Sequence, residues 1–343
     1  MAFIEYVQKA FSEHKIISII GLAKNVSKTT TLNHIITQLP SDFKIGLTSI
    51  GRDGEQYDII SDFPKPRIKI KKGTIIATAQ DSIKNSEIEL EKIMDTRIST
   101  PMGNVLILEA KDDGFIELAG PSNNTGLQKV CKQLLNLKCD FVFIDGAFDR
   151  KSFASPLISD ATILSTGASV SKSMDKVIEI TKHTIQLLSI DSEKDLKARK
   201  LIKNLLKNEK VGFIFENNSI KHLDLETALT SGKKIGILLT DKVHFVVING
   251  AITDRLLEDI MKSTEKYKGV TFIVENATKL FISKGVFNAF LKKGGNIKVL
   301  DHIKIIALTI NPTSPYGYNF DKKLFFKALQ DKIEIPIFDL GPN

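Results

Sequence analysis

The chain has 343 residues, of which 42% are hydrophobic and 26% charged, an ordinary globular composition in which no part need be disordered. Its formal charge of +8 would suit an acidic partner, but the lysines are scattered among Ile and Asn and no basic motif is interleaved with aromatics, which argues against nucleic acid. No stretch reaches the roughly eighteen apolar residues of a membrane span, and Cys131 and Cys139 form no C-x-x-C that would suggest a zinc knuckle or a disulfide framework, so a cytoplasmic protein is expected.

The N-terminal MAFIEYVQKAFSEHK contains acidic residues and no sustained apolar core, which predicts an amphipathic helix and not a signal peptide. Next comes IISIIGLAKNVSKTTTL. Residues 17–20 form an apolar run rich in β-branched residues, the pattern of a buried parallel strand, and it stops at Gly21. A polar turn leads into Lys28, Thr29, Thr30 and Thr31, and then into Leu32, Ile35, Ile36 and Leu39 at helical spacing. Strand, loop and helix in that order form the context of a phosphate-binding loop.

The chemistry is local. Amides at the mouth of a helix have no intrahelical acceptor and lie at the positive end of its dipole, so they can cradle a di- or triphosphate. Gly21, Lys24, Asn25, Val26, Ser27, Lys28, Thr29 and Thr30 are the residues expected to hold ATP. Lys28 would place a point charge on the β- and γ-phosphates, and the Thr29 hydroxyl would ligate Mg²⁺. Two features depart from G-x-x-x-x-G-K-[ST]: Gly21 lies one position too far upstream, and Ser27 stands where the pattern has glycine. A side chain there crowds the phosphate or demands an unfavourable backbone angle, which bears on hydrolysis more than on binding.

Residues 44–49 (KIGLTS) predict a second strand that opens into IGRDGEQYD. Asp53 and Glu55, bracketed by Gly51 and Gly54, are suited to meet Mg²⁺ or an attacking water, with Arg52 as a lesser phosphate contact. Two-residue alternation predicts hairpins around Lys72-Gly73 and around residues 101–104, with a helix over 82–94 between them. After an amphipathic helix over 126–137, CDFVFIDGAFDR gives four apolar residues ending in Asp145 and Gly146. This has the form of a strand whose terminal carboxylate bonds the water shell of Mg²⁺ beside Thr29. Lys28, Asp53 and Asp145 are therefore the candidate catalytic residues, and Thr29, Asp53 and Asp145 the candidate metal site; Asp149 and Arg150 would stand behind them.

A strand over 161–164 and a helix over 174–188 follow, and then the charged segment 191–210, with Leu196, Leu201, Ile202, Leu205 and Leu206 on one side. From residue 211 onward strands and helices alternate: VGFIF, a helix over 223–230, KIGILL and HFVVING as strands, a helix over 251–266, GVTFIVEN, a helix over 284–293, a strand over 303–310 running into NPTSPYGYNF, a helix over 321–330 and the strand IEIPIFDL. The expected fold is α/β: a phosphate-loop parallel sheet flanked by helices over residues 1–190, a charged linker helix over 191–210, and a second, largely parallel α/β domain over 211–343. Asn311 and Pro312 end a strand where open sheets hold ligands; Tyr316 and Tyr318 could stack on a base or face a partner, but read first as surface tyrosines of a turn.

With these elements in place, the chain resembles P-loop NTPases of the dethiobiotin-synthetase and nitrogenase-iron-protein type, whose longer G-x-x-x-x-x-G-K-T loop matches the position of Gly21. Ala23 stands where some relatives carry a second, intersubunit lysine, and Lys24 beside it is no substitute. More narrowly, GLAKNVSKTTTLN, LTSIGRDGE, DFVFIDGAFDR and INPTSPYGYNFD resemble the nucleotide-binding subunit of the reactivase of lysine 5,6-aminomutase. That resemblance implies an ATP-dependent protein that restores an adenosylcobalamin-dependent aminomutase by expelling damaged cofactor, together with a MutS-like second subunit, in amino-acid-fermenting bacteria. No D-x-H-x-x-G grips cobalamin here, and no N-K-x-D indicates guanine.

Three functions remain in view: an ATP-binding, hydrolysing reactivase subunit; a small-molecule ligase or kinase of the dethiobiotin-synthetase type; and a scaffold that keeps the fold without turnover. Whether the chain forms a homodimer stays open.

Overall fold

The computed structural model describes residues 3–53, 67–84, 86–146, 155–156, 158–225 and 231–340, without the side chains of Arg52 and Asp53. The chain divides into two units, one of residues 1–182 and 304–343 and the other of residues 183–303. The division falls inside the helix Met174–Leu188.

In chain order the first unit supplies strands β1 (Ile16–Gly21), β2 (Ile45–Ser49), β3 (Ile75–Ala79), β4 (Leu90–Thr100), β5 (Gly103–Ala110), β6 (Phe141–Asp145) and β7 (Ala161–Gly167). The second unit follows with β8 (Val211–Phe215), β9 (Ile220–His222), β10 (Val243–Ile248), β11 (Thr271–Val274) and β12 (Asn296–Val299). The chain then returns to the first unit with β13 (Ile305–Asn311) and β14 (Ile337–Asp339).

Nine strands of the first unit form one sheet in the order β14-β13-β7-β1-β6-β2-β3-β5-β4, and two short two-stranded pairs lie outside it. Pairing is parallel from β14 through β3, and β5 and β4 add an antiparallel hairpin. Alternation along the strands fills both faces. Ile17, Ile19, Phe141 and Phe143 pack with the helices Phe3–Phe11 and Lys28–Gln38, whereas Val142 and Ile144 pack with Leu127, Val130 and Leu134 of the helix Asn124–Asn136. A parallel sheet covered on both faces is the solution such near-continuous apolar strands require. Phe11 stacks obliquely on Phe141 and Phe143, with ring centroids 5.0 and 5.3 Å away, so the N-terminal helix is part of the core.

The second unit has a five-stranded sheet in the order β9-β8-β10-β11-β12, mixed in direction: β10, β11 and β12 are parallel, and β8 is antiparallel to both β9 and β10.

Several expectations are corrected. The last strands, 305–311 and 337–339, belong to the first sheet and not to a second domain over 211–343. Burial along β13 is nearly continuous, as a strand between two neighbours requires, and β7 and β14 are those neighbours. The segment 191–210 is no linker. Its helix Leu196–Asn208 buries Ala198, Ile202 and Leu205 against Ile214, Phe245, Val247 and Ile273 in the core of the second unit. KIGILL is a helix, Gly232–Leu238, and not a strand. Its two glycines, four apart on one face, let it lie against the helix Asp254–Ser263, where a Cβ on Gly232 would come within 2.6 Å of Asp259 Cβ.

Within 82–94 a short helix, Gln80–Ile83, gives way to β4, because Ile and Thr recur there beside the ladder offered by β5. A turn does occur at Gly73, with φ 84°. Ile68–Ile70 nevertheless pairs with Gly114–Ile116, and β3 joins the central sheet. Of the helix expected over 223–230, residues 226–230 lie outside the described residues and 223–225 have no regular structure.

Candidate functional site

The chain leaves β1 for β2, passing over the place that β6 later fills, and then sets β7 on the other side of β1. Strand order therefore reverses at β1, and in open α/β sheets the crevice at the carboxyl ends beside such a reversal is where ligands bind. Residues 22–27 form the loop at that point, and the helix Lys28–Gln38 follows directly.

The loop's backbone alternates in hand. Asn25 (φ 59°) and Ser27 (φ 68°, ψ 30°) are left-handed, whereas Val26 and Lys28 are not. Such alternation turns successive amides towards one side and creates a concave, anion-seeking surface. Among the described residues, the amides of Val26, Ser27, Lys28, Thr29 and Thr30 donate to no protein acceptor; the first helical bond at this end is Thr31 N–H to Ser27 O, 2.9 Å. Five donors in a row at the positive end of a helix make an anion-binding feature. Left-handed geometry at a non-glycine residue costs about 1–2 kcal/mol. Ser27 bears that cost without a side-chain capping bond to offset it.

Gly21 is needed for close packing. A Cβ there would lie 2.7 Å from Val26 Cγ2 and 2.9 Å from Lys28 Cδ, so the buried Val26 and the Lys28 stem both rest on the end of β1. The Lys28 ammonium makes no hydrogen bond or ion pair with any described residue. Lys24 and Thr30 are half-buried in or beside the same loop.

Asp145 reaches the site through β6. Its register partners are Ile19 on β1 and Ser49 on β2, and it is fully buried. Thr29 Oγ1 donates towards Asp145 Oδ2 at 3.4 Å, and Ser49 Oγ donates to Asp145 O at 3.1 Å. Gly146 seals the junction: its amide donates to Ile19 O at 3.0 Å, and a Cβ would come within 2.6 Å of that oxygen. Gly21, Lys24, Asn25, Val26, Ser27, Lys28, Thr29, Thr30 and Asp145 are thus brought together. The backbone of Arg52 and Asp53 pairs with residues 118–119, but the Asp53 side chain lies outside the described residues, as do Gly54, Glu55, Asp149 and Arg150.

Further residues complete the site from strands remote in sequence. Leu22 N–H donates to Ser165 O at 3.0 Å, tying the start of the loop to β7. Ser169 Oγ at 3.1 Å and Asn311 Nδ2 at 3.3 Å both donate to Asn25 O. Thr31 Oγ1 lies 2.9 Å from Ser27 O and 3.0 Å from Thr309 Oγ1. Tyr318 donates its hydroxyl to Ala168 O at 2.9 Å and so fastens the segment after β13 to the segment after β7, whereas Tyr316 is exposed. The sequence placed Asn311 at a strand end but missed Thr31, Ser165, Ser169 and Thr309. The signal available for Thr309 was a hydroxyl two residues before Asn311 in an otherwise apolar run.

Among the described residues no group of three or more His, Cys, Asp and Glu gathers as a metal cluster. No described helix is long and apolar enough to cross a membrane. Comparison with protein-family models, curated proteins and solved structures gave no match.

Proposed function

We propose that this chain binds ATP with Mg²⁺ on residues 21–30 and works as the ATP-dependent subunit of a reactivating factor for an adenosylcobalamin-dependent amino-acid aminomutase. The observation that carries the nucleotide reading is the unbroken run of amides from Val26 to Thr30, beside the Lys28 ammonium, none of which has a partner among the described residues. The reactivase role rests on the sequence resemblance, which also supplies the two partners: the aminomutase and a MutS-like subunit.

The residues present fit the ligand. Mg²⁺ is held by one or two protein oxygens, with phosphate oxygens and water filling the rest of its octahedron, so the Thr29 hydroxyl and the Asp145 carboxylate suit it. Thr29 would supply its hydroxyl to the metal and Asp145 would hold the metal's water, replacing the long contact they now make with each other. Bound ATP supplies a phosphoanhydride whose cleavage can drive release of a partner. The chain's own work is to neutralise the phosphates with Lys28, to orient them with the loop amides and to hold the loop's shape through β7 and β13. Serine at position 27 occupies the left-handed geometry itself, so its presence leaves the cradle's backbone intact and weakens the reading as a scaffold without nucleotide.

Thermal unfolding with and without Mg·ATP tests this directly. Saturation at about 100 times Kd stabilises by roughly 2.7 kcal/mol, a rise of several degrees in Tm, and Lys28→Ala removes the rise without lowering the Tm of the free protein. A rise that survives Lys28→Ala places the nucleotide elsewhere. Pull-down of the aminomutase and the MutS-like subunit with and without Mg·ATP tests the role; nucleotide-independent capture, or none, refutes it.

A further inference from the structure

We propose that Asn311, together with Ser169, is a positioning residue that fixes the peptide between Asn25 and Val26 and so aims the first amide of the anion cradle. Asn25 O accepts from Asn311 Nδ2 at 3.3 Å and from Ser169 Oγ at 3.1 Å. A carbonyl oxygen has two lone pairs, so both donors are accommodated at once. Asn311 makes a second bond, in which its Oδ1 accepts the Thr313 amide at 2.9 Å. A backbone N–H can only donate, so this bond sets Oδ1 towards Thr313 and leaves Nδ2 to face the loop.

The peptide between Asn25 and Val26 is trans, and in a planar trans peptide the C=O and the N–H point in opposite directions. Two donors on Asn25 O therefore turn Val26 N–H away from the ends of β7 and β13. Val26 is the first of the five amides that have no acceptor among the described residues. Asn25 is left-handed at φ 59°, and bonds to its carbonyl offset part of the cost of that conformation. The frame that holds the donors does not depend on the loop. Gly167 and Asn311 are register partners across β7 and β13, and a Cβ on Gly167 would run into Asn311 O. Tyr318 donates to Ala168 O at 2.9 Å, next to Ser169, and Asn311 is itself buried.

The effect on ligand rests on the nucleotide reading above, whereas the hold on the peptide does not, and the test separates them. Titration calorimetry with Mg·ATP and with magnesium tripolyphosphate, which has no base, is carried out on wild type, Asn311→Ala and Asn311→Ala/Ser169→Ala. Loss of one hydrogen bond makes Asn311→Ala weaken both probes by the same factor, about three- to tenfold, and the double variant weakens them further. A loss confined to Mg·ATP assigns Asn311 to the base, and no loss with either probe shows that the carbonyl needs no donor; each result overturns the proposal.

Backbone amide relaxation measured by NMR on the free protein tests the same hold without a ligand. If wild type binds neither probe, the nucleotide reading fails and relaxation decides this one; it decides also if wild type binds Mg·ATP alone. The order parameter of the Val26 amide falls from about 0.85 towards about 0.6 in the double variant, while amides in the middle of β1 stay rigid. Asn311→Asp keeps an oxygen for the Thr313 amide and removes only the donor, so it loosens Val26 as Asn311→Ala does. A Val26 amide that is already mobile in wild type, or as rigid in the double variant, overturns the proposal. So does one that Asn311→Ala loosens and Asn311→Asp does not.

Discussion

Alanine at position 21 probes the cradle without touching any charge. The new Cβ would sit 2.7 Å from Val26 Cγ2, 2.9 Å from Lys28 Cδ and 3.0 Å from Lys28 Cγ. Carbon atoms rest at about 3.5–4.0 Å, so the overlap with Val26 is roughly 1 Å. The lysine stem can swing aside. Val26 is fully buried and cannot move without carrying its neighbours. Gly21 is not in the left-handed region, so the penalty is packing alone, which for an overfilled site is about 1–3 kcal/mol.

In the free protein the loop can yield and absorb part of that penalty, which lowers Tm by a few degrees. Holding an anion requires the loop amides to return to their places, and the remainder then appears as lost affinity. Gly21→Ala therefore weakens Mg·ATP by roughly five- to hundredfold, read by titration calorimetry beside scanning calorimetry of the free protein. An affinity within about twofold of wild type, with an unchanged Tm, refutes the packing of Val26 against the end of β1.

Two further variants address the carboxylate and the thiols. Asp145→Asn keeps the shape and removes the charge, so the Mg²⁺ dependence of ATP affinity collapses, as titrations with Mg²⁺ and with EDTA will show. A preserved Mg²⁺ dependence rules Asp145 out of the metal site. Burial pushes the Cys131 thiol up to about 12 and the Cys139 thiol up to about 11. Both values lie above the unfolded thiol's, so their contribution to stability is complete below about pH 8.5 and is lost as pH rises towards the folded values. Urea unfolding of wild type should weaken more steeply between about pH 9 and 11 than that of Cys131→Ala/Cys139→Ala, and parallel curves would show that the thiols are not the cause.

The parts of the site that were legible in the sequence are those made by neighbours in the chain. The apolar run before Gly21, the polar turn and Lys28-Thr29 fixed a strand, a loop and a helix, and a strand ending in Asp145 was a short-range pattern of the same kind. The possibility that Ser27 imposes an unfavourable backbone angle was also legible, and the loop does place it at φ 68°. Strand partners were not legible. Apolar spacing reports that 305–311 is buried but not which sheet buries it, so the insertion of the second unit in the chain after β7 and before β13 is not readable, and the charged helix of 191–210 reads as a connector. Short apolar runs are ambiguous in type as well: KIGILL is as apolar as a strand, and only the packing of Gly232 and Gly236 against a second helix selects the helical form.

The same limit explains why the hydroxyls behind the loop were missed. Thr31, Ser165 and Thr309 are distant in sequence and become a set only through the register of β1, β7 and β13. A polar residue in a strand buried on both faces must nevertheless find a partner, because an unmet hydroxyl there costs more than an apolar side chain gains. Thr309 and Asn311, alternating with Leu308 and Ile310, therefore demanded partners on one face of β13; Asn311 meets its demand at the loop carbonyl of Asn25, and Thr309 meets its own at the hydroxyls of Ser165 and Thr31. Asn25, a left-handed loop residue that is not glycine, is thus bonded at its carbonyl by a strand more than 270 residues away in sequence.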